Sequence, residues 1–203
     1  MRRFSTLFLF PLLLSAASNT YLYRCGDGLR FTARFDNGRV WLFLPRKSVA
    51  LPFIDARVGG KKVYRDGSTV FIFEGERAVL EENGRLHGNC RNDRRGAIWE
   101  KAKLDGVDFR AVGNEPPWIL EIRGDRLDFF YGYDKKRCRF KAKPQVDRHK
   151  RQTRYVAVSK GSSLEVILRP GPCHDSMSDE TYETRVEIRW SGRRLTGCGT
   201  ALH

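Results

Sequence analysis

Apolar and polar residues alternate along much of this chain. Leu29, Phe31, Ala33 and Phe35 fall on one side of an extended segment, and Arg30, Thr32 and Arg34 on the other. That period of two is the pattern of a half-buried strand. Asp36-Asn37-Gly38 follows, and Asn-Gly tolerates the positive φ that a two-residue hairpin needs. Residues 39–44 resume as a strand. Asp66-Gly67 turns into 69–73, and Asn83-Gly84 turns into a run that ends at Cys90. Residues 91–96 are charged and aperiodic, and a second strand-rich set follows. It comprises 118–122, a turn at Gly124-Asp125, then 127–131, 164–168, 182–190 and 194–196, the last two joined by Ser191-Gly192. No stretch holds a helical period between two caps, so any helix should be short. The pattern predicts an all-β chain. A small antiparallel barrel or sandwich spans 21–93, a linker 94–106, and a second β-rich domain 107–203.

The first residues, MRRFSTLFLFPLLLSAAS, change the setting. Arg2 and Arg3 precede an apolar run of roughly 11 residues, too short for a membrane span of about 20. Ser15-Ala16-Ala17 supplies small residues for cleavage after Ala17. Residues 1–17 therefore read as a secretory signal. The expected product is periplasmic or secreted, and soluble. Cys25 lies too far beyond the apolar run to be a lipid-anchored cysteine.

Export implies an oxidising compartment, in which four of the five cysteines are expected to pair. Cys25 opens the first β-rich stretch and Cys90 closes it, Cys173 and Cys198 bracket the last, and Cys138 is left single. Four cysteines allow three pairings, and sequence alone does not choose among them. A Cys173–Cys198 bridge would close a loop worth ~3 kcal/mol in chain entropy.

Charge is unevenly spread. Ten basic residues lie within 135–154: Lys135, Lys136, Arg137, Arg139, Lys141, Lys143, Arg148, Lys150, Arg151 and Arg154. Only Asp147 opposes them, so the segment carries +9 of the chain's net +14, whereas 21–93 carries +4. Such a segment is either a solvated charged face or a patch for an anionic partner, and outside the cytoplasm that partner is an envelope polymer, lipopolysaccharide or an acidic lipid surface. Nucleic acid is not expected, since no recognition motif is present and export argues against it.

Catalytic patterns are missing. His87, His149, His174 and His203 are scattered without metal-ligand spacing, no G-x-S-x-G surrounds a serine, and the glycines mark turns. The chain is read as a non-enzyme without metal or cofactor. Glu115, Asp175, Ser176 and Asp179 are kept as a candidate small-ligand set, and Glu115 with Asp175 as an acid/base pair acting on envelope glycans.

Two resemblances add to this. Tyr23-Arg24-Cys25, Gly28, the Phe31 strand, Tyr64, the segment Phe71-Ile72-Phe73-Glu74-Gly75-Glu76-Arg77-Ala78, Leu80 and Cys90 resemble the membrane-bound lysozyme inhibitor of C-type lysozyme family. The resemblance covers about a third of the chain. It implies an eight-stranded antiparallel barrel, a Cys25–Cys90 bridge, a bacterial envelope location and a C-type lysozyme as partner. The contact loop would be Val58, Gly59, Gly60, Lys61, Lys62 and Tyr64, together with Glu74. The family's two loop serines fall on Val58 and Gly60, however, and its signature lysine on Glu74. A carboxylate presented to two catalytic carboxylates repels them, so the fold is expected without the family's contact chemistry. In the second half, Gly113-Asn114-Glu115-Pro116-Pro117-Trp118, Cys173 to Asp179 with Tyr182, and Leu195-Thr196-Gly197-Cys198-Gly199 resemble an uncharacterised domain of bacterial envelope proteins and lipoproteins. That domain usually has an aromatic where Pro117 stands.

Overall fold

The computed structural model describes residues 19–57, 61–134, 136–159, 161–175 and 177–203. The signal-like leader, Val58, Gly59, Gly60, Lys135 and Ser176 lie outside these residues. The chain divides into two compact units, the first ending at Asp93 and the second beginning at Arg94.

The first unit is a closed antiparallel barrel of eight strands in sequence order: β1 (Thr20–Arg24), β2 (Arg30–Asp36), β3 (Arg39–Leu44), β4 (Lys47–Arg57), β5 (Lys61–Asp66), β6 (Thr69–Glu74), β7 (Arg77–Glu82) and β8 (Arg85–Asn92). The hairpin signals act as their chemistry requires: Asn37-Gly38 and Asn83-Gly84 both take positive φ at each turn position. Tyr23, Phe31, Leu42, Leu51, Phe71 and Leu80 fill the interior. The Tyr23 hydroxyl donates to the Gly75 carbonyl at 2.6 Å, and burial pushes its pKa up. Cys25 and Cys90 are bonded.

The second unit opens with a helix, α1 (Arg94–Leu104), where the sequence pattern gave a linker. Only Ala97 and Ala102 of α1 are buried, so the helix has no apolar stripe to betray it. Nine strands follow: β9 (Phe109–Asn114), β10 (Pro117–Arg123), β11 (Arg126–Tyr131), β12 (Lys136–Lys141), β13 (Gln145–Asp147), β14 (Gln152–Ser159), β15 (Ser162–Asp175), β16 (Glu180–Trp190) and β17 (Arg193–Ala201). They form one antiparallel sheet in the order β12-β11-β10-β9-β17-β16-β15-β14-β13.

The sheet curls around its own core. Trp118, Leu120, Leu127, Phe129, Phe140, Tyr155, Leu164, Val166 and Ile188 all point inward. The edge strand β12 comes round towards β14, and a cavity of about 490 Å³ between them is lined by Cys138, Phe140, Ser159 and Trp190. Cys138 is the free cysteine and is half-buried against this core. Cys173 and Cys198 are bonded. At Gly197 an added Cβ would strike the Val112 carbonyl oxygen and the Trp118 ring, so β17 and β9 approach closely only because that position has no side chain.

Candidate functional site

The outer face of the second sheet is built from charged cross-strand rows. Register places Arg139, Asp128, Glu121, Arg110 and Thr200 side by side across β12, β11, β10, β9 and β17. On β11, Leu127 and Phe129 face the core, so the intervening Asp128 must face outward. It is nonetheless fully buried, because arginines from three strands close over it. Arg137 donates to it from Nε and Nη2 at 3.2 and 3.0 Å, Arg139 from Nε at 3.1 Å and Arg123 from Nη1 at 3.1 Å. Arg126 Nε stands 3.5 Å away, buried and without a hydrogen bond.

Burial alone would raise the Asp128 pKa. Hydrogen bonds from Arg137 and Arg139, with the charges of Arg137 and Arg126, outweigh it and hold the carboxyl below its ordinary range.

The arithmetic of donors is one-sided. A carboxylate has about four acceptor positions and each guanidinium about five N–H donors. Asp128 is saturated by four hydrogen bonds, and most guanidinium donors remain for other groups. Arg137 and Arg139 keep side-chain exposures of 48% and 58%. Arg110, Arg123, Arg126, Arg137, Arg139 and Lys141 stand here against Asp125, Asp128 and Glu121, a surplus of three positive charges. Buried Arg110 pairs with Glu121 and lies 5.5 Å from the centre of the Trp99 ring on α1, which in turn stacks on Tyr182. Burial, reinforced by the hydrogen bond to Glu180, pushes the Tyr182 hydroxyl up to about 12.

A second cluster repeats the plan along the same face. Buried Glu187 takes Arg169, Arg189 and Arg194, while Glu165 takes Arg154 and Arg189. Four arginines thus meet two carboxylates. Burial would raise the Glu187 pKa, but Arg194 and Arg189 bring it below its usual value. Arg154, Glu165, Arg189 and Arg194 line a cavity of about 340 Å³.

The basic segment 135–154 is therefore not one patch. Arg137 and Arg139 belong to the Asp128 cluster and Arg154 to the Glu165 cluster. Lys141 pairs with Asp125, and Lys150 with Asp147 at 3.8 Å. Lys136, Lys143, Arg148 and Arg151 are exposed and have no ion pair among the described residues. Arg110, Arg123, Arg126, Asp128, Arg169, Arg189, Arg194 and Glu187 were not legible as site residues, because most of their partners come from other strands. The local signals were the opposite charges two residues apart, Glu121 with Arg123, Arg126 with Asp128 and Glu187 with Arg189.

In the barrel, Lys61 Nζ is 2.9 Å from Glu74 Oε1, so these two contact-loop residues neutralise each other. Tyr64 is a core residue, packed against Phe35, Phe53 and Phe71, and is unavailable as a contact group. Lys62 is exposed on β5.

The candidate small-ligand set divides as well. Asp175 accepts from Asn114 Nδ2 at 2.5 Å, Ser178 Oγ at 2.7 Å and the Met177 amide at 3.1 Å. Burial raises its pKa, and these donors more than reverse that. Asp175 is thus a clamp on its own turn. Glu115 and Asp175 line the same cavity of about 240 Å³, whereas the Asp179 side chain is 93% exposed, 3.9 Å from His174. Among the described residues no three His, Cys, Asp or Glu side chains converge as a metal set, and no helix is long and apolar enough to cross a membrane.

No family model, curated protein or solved structure matches this chain. The arginine-covered sheet is accordingly interpreted on its own geometry.

Proposed function

We propose that this chain is an exported binding protein that attaches to a multivalent anion of the cell envelope through the outer face of its second unit. The anion is a phosphate- or carboxylate-bearing polymer or an acidic lipid surface. The observation that carries the reading is the Asp128 cluster. A saturated, buried carboxylate gathers Arg123, Arg126, Arg137 and Arg139 around it, and Arg137 and Arg139 keep about half of their side chains exposed with donors to spare. Pre-ordered guanidiniums suit phosphate and carboxylate better than mobile lysines do, because less side-chain freedom is lost on contact. Two disulfides and the signal-like leader support an oxidising, exported setting.

Full-length protein should be retained on phosphatidylglycerol vesicles and on lipopolysaccharide at about 50 mM salt and released at about 500 mM, as screening shortens the reach of exposed charges. Arg137→Gln with Arg139→Gln should weaken retention by about thirtyfold, taking ~1 kcal/mol per basic side chain near an anionic surface. Retention that ignores both salt and these substitutions overturns the proposal. Vesicles and polymer are separate arms, which tell a lipid surface from a polymer.

The barrel is not proposed to inhibit a C-type lysozyme. Glu74 would meet the enzyme's carboxylates with like charge, and Lys61 is occupied by Glu74. The expected result is an unchanged rate of cell-wall lysis by hen-type lysozyme at a large molar excess of this protein. Dose-dependent inhibition would return the barrel to the family's activity.

A further inference from the structure

The barrel has a second feature, at the end opposite the β4–β5 connection. Here the β1–β2, β3–β4 and β7–β8 turns surround a cavity of about 460 Å³, within the size range of small-ligand pockets. Its apolar part comes from Leu29, Leu44 and Pro45. Leu29 and Leu44 pack against the barrel core yet keep part of their surface open. A barrel sealed at this end would have buried them, so the turns leave an apolar recess.

The polar part is asymmetric. Lys47 is neutralised by Glu82 at 2.5 Å. Arg85 reaches Asp27 only at 3.8 Å, and Arg46 has no ion pair among the described residues. His87 lines the cavity while only 5% exposed, with Nδ1 2.6 Å from Asp27 Oδ2. The His87 hydrogen bond, with the Leu29 amide, keeps Asp27 below the usual carboxylate range. An ionised Asp27 fixes the imidazole with its proton on Nδ1 and leaves the Nε2 edge unengaged by Asp27. The recess therefore joins an apolar floor, an oriented imidazole and the Arg46 guanidinium, which has no ion pair among the described residues.

We infer that this end of the barrel is a binding site for a small amphipathic anion, an alkyl or aryl carboxylate whose tail lies on Leu29 and Leu44 and whose head meets Arg46, with Arg85 beside it and the His87 ring as part of the wall. The inference stands independently of the arginine face of the second unit. An Asp27–His87 pair that merely tied β8 to the β1–β2 turn would need neither the open leucines nor Arg46 at the rim of the recess.

The test is a titration of isotope-labelled full-length protein with decanoate, below its micelle-forming concentration, followed by NMR at the Leu29 and Leu44 methyls and the His87 ring. Acetate supplies the head alone and decanol the tail alone. Saturable shifts at these three residues are expected with decanoate and are expected to be weaker with either part. Arg46→Gln, on an exposed turn where folding is not at risk, should weaken decanoate binding by about tenfold, the scale of one charge-assisted hydrogen bond, and leave decanol unchanged. The inference is overturned by the absence of saturable shifts, by equal affinity for acetate, by an Arg46→Gln affinity equal to wild type, or by shifts confined to the second unit.

Discussion

Replacing Asp128 by asparagine is expected to destabilise the second unit by about 3 kcal/mol, the low end of the cost of stripping one partner from a buried ion cluster. Asparagine keeps the volume but removes the charge, and Arg123, Arg126, Arg137 and Arg139 are then left to repel one another around a neutral amide. The low end applies because Arg137 and Arg139 are half-exposed and can turn to water. Three of the four tryptophans, Trp99, Trp118 and Trp190, lie in this unit, so urea unfolding followed by fluorescence reads it directly.

The pH dependence has a definite sign. A carboxyl depressed in the folded state contributes stability above its unfolded pKa of about 3.9 and loses it as pH falls through the lower folded value. Wild-type stability should therefore decline below about pH 4, and Asp128→Asn should flatten that decline in part. A residual slope is expected to persist, because Glu187 and Asp175 in the same unit are depressed as well. A change below about 1 kcal/mol, with the acid slope intact, would show that the four arginines do not depend on Asp128.

Joint replacement of Cys25 and Cys90 by serine should cost the barrel about 4 kcal/mol. Their bridge closes a loop with a sequence separation of 65 residues, and the entropy of the unfolded chain rises accordingly when it is cut. The place matters as much as the loop. The barrel closes between β1 and β8 through only two register pairs, Tyr23 with Asn92 and Arg24 with Arg91. Among the described residues the bonds beside these pairs include the Asp93 amide to the Leu22 carbonyl, the Leu22 amide to the Asn92 side chain, the Gly26 amide to the Gly88 carbonyl, and Arg24 to Asp93. The disulfide staples the chain just beside this seam. Hydrogen exchange in the serine variant should accelerate first in β1 and β8 and only later in β3 to β6. A uniform rise in exchange across all eight strands, or a loss of less than about 1 kcal/mol, would mean that the seam is held by packing alone.

Local chemistry explains which elements were legible. The Asn37-Gly38, Asn83-Gly84 and Ser191-Gly192 turns could be placed because positive φ is a property of two adjacent residues, and all three adopt it. Helix α1 was read as a linker because its Arg- and Lys-rich sequence shows no apolar period. What seats it is buried Ala97 and Ala102, with Trp99 against Tyr182 and Arg110. Strands β12 to β14 were hidden for the same kind of reason, since 135–154 reads as a charged run and, among the described residues of these strands, Phe140, Tyr155 and Ala157 are buried in the core with Cys138 half-buried against it. Tyr64 was counted with a contact loop, whereas it is buried by rings from β2, β4 and β6.

The sequence by itself determined the all-β class, the main hairpins and the concentration of positive charge, because alternation, turn propensity and charge are properties of residues near one another in the chain. Only the tertiary structure decided what the charge does. Asp128 meets arginines two, five, nine and eleven positions away through the registers of β10, β11 and β12, and Glu187 draws its partners from β15 and β17 as well as its own strand. Register is set by the packing of the opposite, apolar face. The folding of the core thus splits a basic run into two arginine clusters and turns an ordinary aspartate into their organising centre.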